Sequence, residues 1–509
     1  MVVFCLGIGL GTAAGCKSLP SLDGRTSSSA LSDSGSTRLG MALAPHIAAH
    51  PGKSGIHALP DALNAFAARV LLAQMAERTL DIQYYIWHKD MSGALLFDSL
   101  RQAADRGVRV RLLLDDHNTV GLDSTLAALD AHPNIEVRLF NPFVIRQPRL
   151  FGYVTDFSRV NRRMHNKSFT ADNQATIIGG RNVGDEYFGA TDGVVFVDLD
   201  VLAVGPVAQE VSADFDRYWA SESAYPVDRL LPPASAEQMQ ALAADTSDLE
   251  QRPTVLAYLD ATRKSSFISD LTQGSLAMQW ASTRMVSDDP AKGLGRAAPE
   301  ANLSHQLGEI IGGPVAELDL VSAYFVPTAA GVGYFTRLAE KGVQVRILTN
   351  SLEATDVAVV HAGYAKRRKE LLRQGVALFE LRRLGSSSGE RTESRVGVSS
   401  GSSLHAKTFS VDNSRVFIGS FNFDPRSADL NTELGFVIDS PEMAQRIKDA
   451  LARRVPRDAY QVLLSDEGKL YWLEHRQGRT IRHDNEPGTS IWQRAGVWLM
   501  SLLPIEWML

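Results

Sequence analysis

Cysteine is scarce in this chain of 509 residues, and basic residues are outnumbered by acidic ones. It has two cysteines, Cys5 and Cys16, both within the first sixteen positions. The rest of the chain therefore has no disulfide framework, no zinc site built on thiolates and no cysteine nucleophile. The formal net charge of −6 argues against a nucleic-acid partner, because phosphate backbones are normally met by a basic surface. With 44% apolar residues, the chain is still long enough to bury two sizeable cores.

The amino-terminal end resembles the signal of a bacterial lipoprotein. Residues 1–10 are apolar, and the small residues 11–15 precede Cys16, which would be cleaved and lipidated in such a signal. The alternative is a mis-assigned start codon in front of a cytoplasmic protein, since no positively charged segment begins the chain. Residues 17–55 follow, and the serine and glycine content of residues 26–40 predicts a flexible linker there.

What the chain does contain is one pattern, H-x-K-x4-D-x6-G-x-x-N, present twice. A single H-x-K has no diagnostic value, but two matching copies on strand-like runs make coincidence improbable. The first copy supplies His165, Lys167, Asp172, Gly180 and Asn182. The second copy supplies His405, Lys407, Asp412, Ser420 and Asn422.

The repeat extends beyond the motifs. Before the first copy, a strand at 80–85, a helix at 94–106 closed by Gly107 and a strand at 108–114 are predicted. The same order is predicted before the second copy, with a strand at 318–324, a helix from about 332 to 341, Gly342 and a strand at 343–348. The chain is thus predicted to be an internal duplication of the α/β class, with two units packed around one shared active site on a pseudo-twofold axis.

The predicted division of the chain follows this duplication. The first half is expected at 56–220 and the second at 301–460, joined by a helical connector at 221–300. Residues 461–509 are expected to form a C-terminal tail. The serine- and glycine-rich stretch 385–403, directly before the second motif, predicts a mobile surface loop near the mouth of the site.

The paired histidines point to phosphoryl-transfer chemistry. Neutral imidazole is a good nucleophile, and its conjugate acid can protonate a leaving alcohol. Two histidines on opposite sides of one phosphorus can therefore divide these tasks through a phosphohistidine. We expect their imidazoles to lie roughly 5–8 Å apart, the spacing needed to flank a phosphorus. The repeated pattern leaves open which of the two histidines is the nucleophile.

The remaining candidates would serve these two groups. Lys167 and Lys407 would supply positive charge to the phosphate oxygens, and Asn182 and Asn422 would add neutral donors. Glu433 and Asp200, which are aligned with each other in the repeat, are candidates to hold the histidine rings, as the third member of a triad does. The candidate substrate-binding residues are Asn182, Asn422, Ser420, Gly180, Glu433 and Asp200. Asp172 and Asp412 belong to the candidate catalytic set, although hydrogen bonding of the following turn is the alternative for both.

No metal or other cofactor is expected. The chemistry above requires none, and no ligand cluster stands out in the sequence. Asp115, Asp116 and His117 superficially resemble a metal site, but the end of a βα strand followed by a loop explains them as well.

The paired motifs resemble those of the phospholipase D superfamily. Longer stretches, at 80–87, 110–116, 156–167 and 356–364, resemble its bacterial cardiolipin synthases, and the similarity covers roughly residues 56–509. The resemblance implies that His165 and His405 are the catalytic pair, with His165 the nucleophile and His405 the general acid and base. It also implies transfer of a phosphatidyl group to phosphatidylglycerol, making cardiolipin, with phosphatidylethanolamine as donor. A hydrolase of the same superfamily, either a phospholipase D or a nuclease, is the alternative, and a catalytically inactive lipid-binding protein is a weaker one.

The expected partners are these phospholipids and a membrane surface, not nucleic acid, and a monomer would suffice for the site. The chain is expected to be membrane-associated in a bacterium, either anchored through Cys16 or peripheral on the cytoplasmic membrane. The apolar segment 495–509, with tryptophans beside it, is too short and broken to span a bilayer. It is predicted to lie in the membrane interface, or alternatively to be a terminal helix docked on the core.

Overall fold

A computed structural model describes residues 18–191, 193–272, 275–383, 401–476 and 478–509. The predicted lipoprotein signal at 1–16 lies outside these residues, as does most of the predicted loop at 385–403. The end of that stretch is a buried strand within the described part of the chain, because residues 401–404 pair with the first half of the molecule.

The strands belong to two halves of similar layout. The first half contains β1 (Ser54–Leu59), β2 (Thr79–Ile86), β3 (Arg109–Asn118), β4 (Ile135–Phe140), β5 (Ser168–Ala171), β6 (Ala175–Gly179), β7 (Val194–Val197), β8 (Asp200–Val204) and β9 (Ala224–Pro226). The second half contains β10 (Gln279–Ser287), β11 (Glu317–Ser322), β12 (Gln344–Asn350), β13 (Ala377–Leu381), β14 (Gly401–Leu404), β15 (Lys407–Val411), β16 (Arg415–Gly419), β17 (Leu434–Asp439), β18 (Ala459–Leu464), β19 (Leu470–Arg476) and β20 (Arg479–His483).

The helices cover the faces of the sheet and connect its strands. Those up to the connector are α1 (Arg38–Ala48), α2 (Ala62–Met75), α3 (Met91–Asp105), α4 (Asp123–Asp130), α5 (Leu150–Thr155), α6 (Phe157–Val160), α7 (Asp185–Phe188), α8 (Pro206–Trp219), α9 (Ala236–Glu250), α10 (Pro253–Arg263) and α11 (Ser266–Thr272). The later ones are α12 (Leu303–Ile311), α13 (Thr328–Glu340), α14 (Ala358–Ala365), α15 (Arg368–Arg373), α16 (Pro441–Asp458) and α17 (Ile491–Ser501). A π-helical turn spans Arg426–Leu430.

One mixed sheet runs through both halves. Its strands are ordered β9-β4-β3-β2-β5-β6-β8-β1-β10-β17-β16-β15-β11-β12-β13-β18-β19-β20, and a separate two-stranded sheet pairs β7 with β14. The order β4-β3-β2-β5-β6-β8-β1 is repeated as β13-β12-β11-β15-β16-β17-β10. The predicted duplication and α/β class are therefore confirmed in the sheet itself.

The predicted βαβ units are present in both halves. β2 and β3 are parallel neighbours joined by α3, and β11 and β12 are parallel neighbours joined by α13. Gly107 and Gly342 follow these helices with φ of +93° and +83°. Glycine adopts this left-handed conformation without a steric penalty, which explains why the helices end there.

The two halves share one apolar junction. β1 pairs with β10, and a buried cluster beside them contains Ile56, Ile178 and Val201 of the first half with Ile418 and Phe436 of the second. Such a junction resembles a domain core and fixes the halves relative to each other.

Two predicted boundaries differ from the structure. β10 pairs with β17, so the second half begins near residue 279, inside the predicted connector 221–300. β18, β19 and β20 extend the second half of the sheet, so the predicted tail at 461–509 contributes to the fold. The partners of β10 and β18 lie far along the chain, and β18 to β20 pair as hairpins, which periodicity does not reveal.

The predicted flexible linker at 17–55 is also wrong for its described part. α1 and β1 lie within it, and the preceding residues run along the first half. Arg109, Arg111 and Arg138 donate to the carbonyl oxygens of residues 29, 28 and 26 at 2.7, 2.9 and 2.6 Å. The segment is ordered because buried guanidinium groups need these acceptors.

Candidate active site

The two motifs meet at the junction of the halves. His165 and Lys167 lie just before β5. His405 lies just before β15, and Lys407 is the first residue of that strand. The backbone N–H of His165 donates to Thr432 O of the second half at 2.8 Å, and that of His405 donates to Val197 O of the first half at 2.8 Å. Each motif is thus held by the opposite half.

Each histidine ring is also held by a carboxylate from the opposite half. Nδ1 of His165 lies 2.8 Å from Oε2 of Glu433, and Nδ1 of His405 lies 2.6 Å from Oδ2 of Asp198. All four side chains are buried. A carboxylate at Nδ1 fixes the tautomer and leaves Nε2 for chemistry. The arrangement is that of two dyads exchanged across the pseudo-twofold axis.

The prediction that Asp200 holds a histidine ring is wrong, because that position belongs to Asp198. The sheet pairs Gly179 with Asp200 and Gly419 with Gly435, so Asp198 is the counterpart of Glu433. The carboxylate of Asp200 instead accepts from the guanidinium of Arg69 at 2.8 Å and from the N–H of Arg181 at 3.1 Å. The sequence alignment of the halves was displaced by two residues, which keeps the same strand face and so left no contradiction in the pattern.

The two motif aspartates stand away from the histidines. Asp172 accepts from the N–H groups of residues 77, 78 and 79, and Asp412 from those of residues 315, 316 and 317, at 2.7–3.2 Å. Both have φ of +51° in the turn after their strand. At about 3.3 Å per residue, the intervening strand separates them from the histidines by more than 10 Å. Their candidate catalytic assignment is therefore wrong, and the structural alternative is confirmed.

Gly180 and Ser420 explain how matching positions carry different carboxylates. A Cβ on Gly180 would lie 2.1 Å from Oδ1 of Asp198, so only glycine leaves room for that side chain. Ser420 donates its hydroxyl to Oε2 of Glu433 at 2.5 Å. Both residues therefore act on the carboxylates that hold the rings, and neither was expected to do so.

The two lysines lie beside the histidines and are almost completely buried. Nζ of Lys407 lies 2.9 Å from Nδ1 and 3.2 Å from Nε2 of His405, and Nζ of Lys167 donates to His165 O at 2.6 Å. Burial lowers the pKa of Lys407, and lowers that of Lys167 well below its usual range. Burial disfavours the positive charge of both lysines, and a bound anion stabilises that charge. The site therefore favours the binding of an anion.

The histidines differ in how far their pKa values fall. Burial, with Lys167, Lys407 and His405 nearby, lowers the pKa of His165 well below its usual range. Burial and Lys407 also lower the pKa of His405, but Asp198 opposes them. Charges of each motif act on the histidine of the other, so the two motifs share one electrostatic environment. The predicted separation of 5–8 Å between the imidazoles stays a prediction.

The two carboxylates also differ in pKa, which is raised for Glu433 and lowered for Asp198. Burial raises the pKa of Glu433 to about 8, although Lys167 and Ser420 oppose it. Burial also disfavours the charge of Asp198, but His405, Lys407 and Arg181 bring its pKa down to about 2. At neutral pH, a firmly ionised carboxylate therefore lies beside His405 and a weakly ionised one beside His165.

The asparagines of the motifs are tied to the strands before them. Asn182 accepts from the N–H of Ile86 at 3.2 Å and donates to the hydroxyl of Tyr187 at 3.0 Å. Asn422 accepts from the N–H of Tyr324 at 3.5 Å. Both are buried, so they brace the end of each strand, and their binding of phosphate stays a prediction.

Aromatic rings that the sequence analysis missed line the histidines unequally. The ring centroid of His165 lies 4.9 Å from that of Tyr85, whereas His405 has Phe196 at 5.0 Å, Tyr187 at 5.2 Å and Tyr324 at 6.5 Å. No regular spacing marks these residues in the sequence, because they come from separate strands and loops of both halves.

The charged groups beyond the aromatic rings also differ between the two histidines. On the side of His405, the hydroxyl of Tyr324 donates to Asp356 at 2.7 Å, and the carboxylate of Glu186 helps to raise the pKa of Tyr187 after burial. On the side of His165, burial and then Asp115 raise the pKa of Tyr85 to about 12, while Arg426 and Arg163 oppose them. Beyond the rings, carboxylates therefore lie on the side of His405, whereas a carboxylate and two arginines lie near Tyr85 on the side of His165.

Arginines form ion pairs with the two aspartates that superficially resembled part of a metal site. Asp115 pairs with Arg163 at 3.2 Å and Asp116 with Arg146 at 2.9 Å. Within the described residues, a different group, His88, Asp90 and Glu186, has ligand atoms within 4.8 Å of one another. Asp90 caps α3 and accepts from the N–H of Asp185, so contacts within the fold account for its position.

Comparison with known proteins agrees with this architecture. A family model described as "Cardiolipin synthase, PLD-like domain" matches residues 71–219 and 309–455. The chain is similar to cardiolipin synthase C of Escherichia coli strain K12, with 52% identity over 472 residues covering 93% of this chain and 100% of that protein. It is 22% identical to cardiolipin synthase B of the same strain over 76% of this chain and 77% of that protein.

A solved structure shares the fold. The phosphatidylserine synthase of Haemophilus influenzae Rd KW20 superposes with a TM-score of 0.57 over 89% of this chain and 95% of that chain, at 14% sequence identity. At this identity the likeness concerns the fold alone, and the two matches of the PLD-like family model confirm the predicted pair of phospholipase D-like units.

Proposed function

Because this chain belongs to the phospholipase D-like family of cardiolipin synthases, we propose that it transfers a phosphatidyl group to phosphatidylglycerol through a phosphohistidine on His165. It is a phospholipid-synthesising transferase that makes cardiolipin. The observation that carries the mechanism is the reciprocal pairing of His165 with Glu433 and of His405 with Asp198. This pairing engages both Nδ1 atoms, leaves both Nε2 atoms for chemistry and has a buried lysine beside each histidine.

In the first step, Nε2 of His165 attacks the phosphorus of the donor lipid. The P–N bond forms while the bond from phosphorus to the headgroup oxygen breaks, and His405 gives its proton to that oxygen. The strongly lowered pKa of His165 keeps its imidazole neutral for attack. The ionised Asp198 stabilises the imidazolium of His405, which suits the acid.

In the second step, the terminal hydroxyl of phosphatidylglycerol attacks the phosphohistidine. His405 takes the hydroxyl proton, the new P–O bond forms and the P–N bond to His165 breaks, which releases cardiolipin. Lys167 and Lys407 stabilise the negative charge on the non-bridging oxygens in both steps, and their burial makes this interaction strong.

We propose phosphatidylethanolamine as the donor. In an in-line displacement the leaving headgroup lies opposite His165, on the side of His405. That side carries the rings of Tyr187 and Tyr324 with the carboxylates of Glu186 and Asp356. Aromatic faces and carboxylates attract a primary ammonium, so this environment suits an ethanolamine headgroup.

The activity is tested with purified protein and vesicles of phosphatidylglycerol, with and without phosphatidylethanolamine, followed by lipid mass spectrometry. We expect cardiolipin in both mixtures, more of it with phosphatidylethanolamine, and release of free ethanolamine. Phosphatidic acid as the main product would identify a hydrolase and contradict the proposal. His165→Ala is the control for lipid conversion by contaminants.

The donor is tested by replacing the two carboxylates. Asp356→Asn and Glu186→Gln should raise the KM for phosphatidylethanolamine several-fold while leaving the reaction of phosphatidylglycerol alone unchanged. An equal loss with both donors would contradict the assignment of the headgroup to this side.

As a family member the protein is membrane-associated. Among the described residues, no helix has both the length and the apolar character needed to cross a bilayer. We propose that lipidation of Cys16 anchors the chain, and mass spectrometry of the amino-terminal peptide from native membranes tests this.

A further inference from the structure

One side of the C-terminal segment packs against the protein, and its other side is exposed to solvent. Val497 of α17 is buried, and the carbonyl oxygen of Leu509 accepts from the N–H of Arg426 at 2.8 Å. The predicted alternative of a docked terminal helix is therefore confirmed for this side. The other side is 48–81% exposed at seven apolar residues, which are Ile491, Trp492, Trp498, Leu499, Leu502, Leu503 and Trp507.

A second exposed apolar element precedes the first motif. Leu150, Phe151 and Val154 of α5 are 74%, 56% and 79% exposed, and Phe157 of α6 is 41% exposed. Large apolar side chains grouped in this way on a monomer mark an interaction surface. The sequence analysis found no sign of it, because α5 has only six residues and shows no recognisable period.

The exposure of α5 is built into the fold. A Cβ on Gly152 would lie 2.6 Å from the Phe143 ring, so the backbone of the helix lies against that ring. The hydroxyl of Tyr153 lies 2.8 Å from Nδ1 of His117. Two consecutive residues therefore fix the inner side of α5, which holds its apolar residues outward.

Arg426 joins the two exposed elements. Its guanidinium donates to Asn161 O at 3.0 Å and Asn161 Oδ1 at 2.9 Å, directly after α6, and to Met508 O at 2.9 Å. The end of α6 and the C-terminus therefore meet at one side chain. The same arginine begins the turn that leads to Glu433, so the joined elements lie next to the catalytic pocket.

The seam between the elements is positively charged. Arg162 donates to the carbonyl oxygens of Asp429 and Lys292, and Arg426 to carbonyl and amide oxygens. Within the described part of the chain, neither guanidinium forms an ion pair with a carboxylate. Both half-buried guanidinium groups therefore bring positive charge to the seam without a carboxylate at ion-pair distance.

We infer that α5, α6 and α17 form one docking face for an anionic bilayer, which brings the catalytic histidines to their lipid substrate. The docking face comprises the eleven exposed apolar residues named above with Arg162 and Arg426. Its apolar side chains enter the headgroup–acyl boundary, and the arginines meet lipid phosphates. The inference rests on the proposed function, because a lipid substrate must reach the pocket from a membrane.

The first test removes apolar side chains from α5 alone. Phe151→Ser with Val154→Ser should weaken binding to phosphatidylglycerol vesicles by about ten-fold or more, since each side chain loses its transfer into an apolar environment. Cardiolipin formation on vesicles should fall in parallel, while turnover of dispersed short-chain lipids stays unchanged. The matched control is Leu256→Ser on α10, where the side chain is 51% exposed and the helix packs against α2 and α9.

The second test keeps the fold intact by labelling one exposed position. Val154→Cys with an environment-sensitive dye, in a background of Cys5→Ser and Cys16→Ser, should show a blue shift on vesicles of phosphatidylglycerol. Leu256→Cys labelled in the same way should show none.

Three results would overturn the inference. They are unchanged vesicle binding with no spectral shift, equal effects at Leu256, and loss of short-chain turnover together with vesicle binding. A change of oligomeric state without lipid would assign the face to a second copy of the chain. Failure of the proposed function is distinct, because vesicle binding and the spectral shift would persist in a protein that makes no cardiolipin.

Discussion

At the residue scale, the carboxylates decide how the two histidines differ. Glu433 has a pKa of about 8 and Asp198 one of about 2, so only the partner of His405 is firmly ionised at neutral pH. An ionised partner stabilises the imidazolium state, whereas a largely neutral one leaves the imidazole unprotonated. The asymmetry favours His165 as nucleophile and His405 as acid.

A trapped intermediate tests this direction. With a lipid whose leaving group is a nitrophenol, which needs no acid, His405→Ala should still form a phosphatidyl adduct on His165. His165→Ala should form none. With natural lipids both variants should lose activity by at least about 10³-fold, because the two groups act as a unit. Peptide mass spectrometry locates the adduct, and finding it on His405 would reverse the roles.

Asp198 and Asp200, two residues apart, should respond differently to the same change. Asp198→Asn should lower kcat by about 10²–10⁴-fold with little change in thermal stability, since it disturbs the tautomer and the charge at His405. Asp200→Asn should lower the free energy of unfolding by about 3 kcal/mol or more, because it leaves the buried Arg69 without its ion pair. Steady-state kinetics and denaturant unfolding measure the two effects. Equal effects on kcat would contradict the two-residue correction of the repeat.

Glu433 should make stability depend on pH. Its pKa is raised from 4.5 to about 8 on folding, so folding favours the protonated carboxyl. The stabilisation is complete below pH 4.5 and is lost as the pH rises through 8. Glu433→Gln removes this titration, so its Tm relative to the unchanged protein should increase from pH 5 to pH 8. A constant Tm difference across that range would show that Glu433 is ionised in the folded protein.

At the scale of elements, local sequence patterns predicted the strands and helices of the βαβ units. The order β2–α3–β3 and its repeat β11–α13–β12 followed from alternation, helical spacing and the glycines at 107 and 342. The identity of the ring-holding aspartate did not follow, because it depends on the register of β8 against β6. Likewise β10 and β18 to β20 were missed, since their sheet partners are distant or form short hairpins.

The misread amino-terminal segment yields a prediction of its own. Deleting residues 1–33 removes the carbonyl acceptors of Arg109, Arg111 and Arg138. A hydrogen bond to a charged group contributes about 1.5–3 kcal/mol, so the free energy of unfolding should fall by several kcal/mol. Deleting residues 1–17 alone is the control and should leave stability unchanged. Equal stability of both truncated proteins in urea would restore the interpretation as a flexible linker.

At the scale of the whole molecule, duplication and exchange of residues produce the site. Each half supplies a histidine with its lysine and the carboxylate for the other histidine. The β7–β14 pair and the bridge between Met164 and Thr432 are equivalent contacts that place these groups. Neither half contains a complete dyad, so the chemistry depends on their fixed junction.

Mixing two inactive variants tests whether one chain is sufficient. Each variant, His165→Ala or His405→Ala, retains one of the two catalytic histidines. The pairing of β1 with β10 binds the halves of a chain to each other. The apolar cluster at that junction makes an exchange of halves between chains costly. An equimolar mixture should therefore remain as inactive as its components, whereas unchanged protein diluted with either variant should keep its activity in proportion to its amount. Recovery of cardiolipin synthesis in the mixture would show that histidines from two chains meet in one site, and that a monomer does not account for the enzyme.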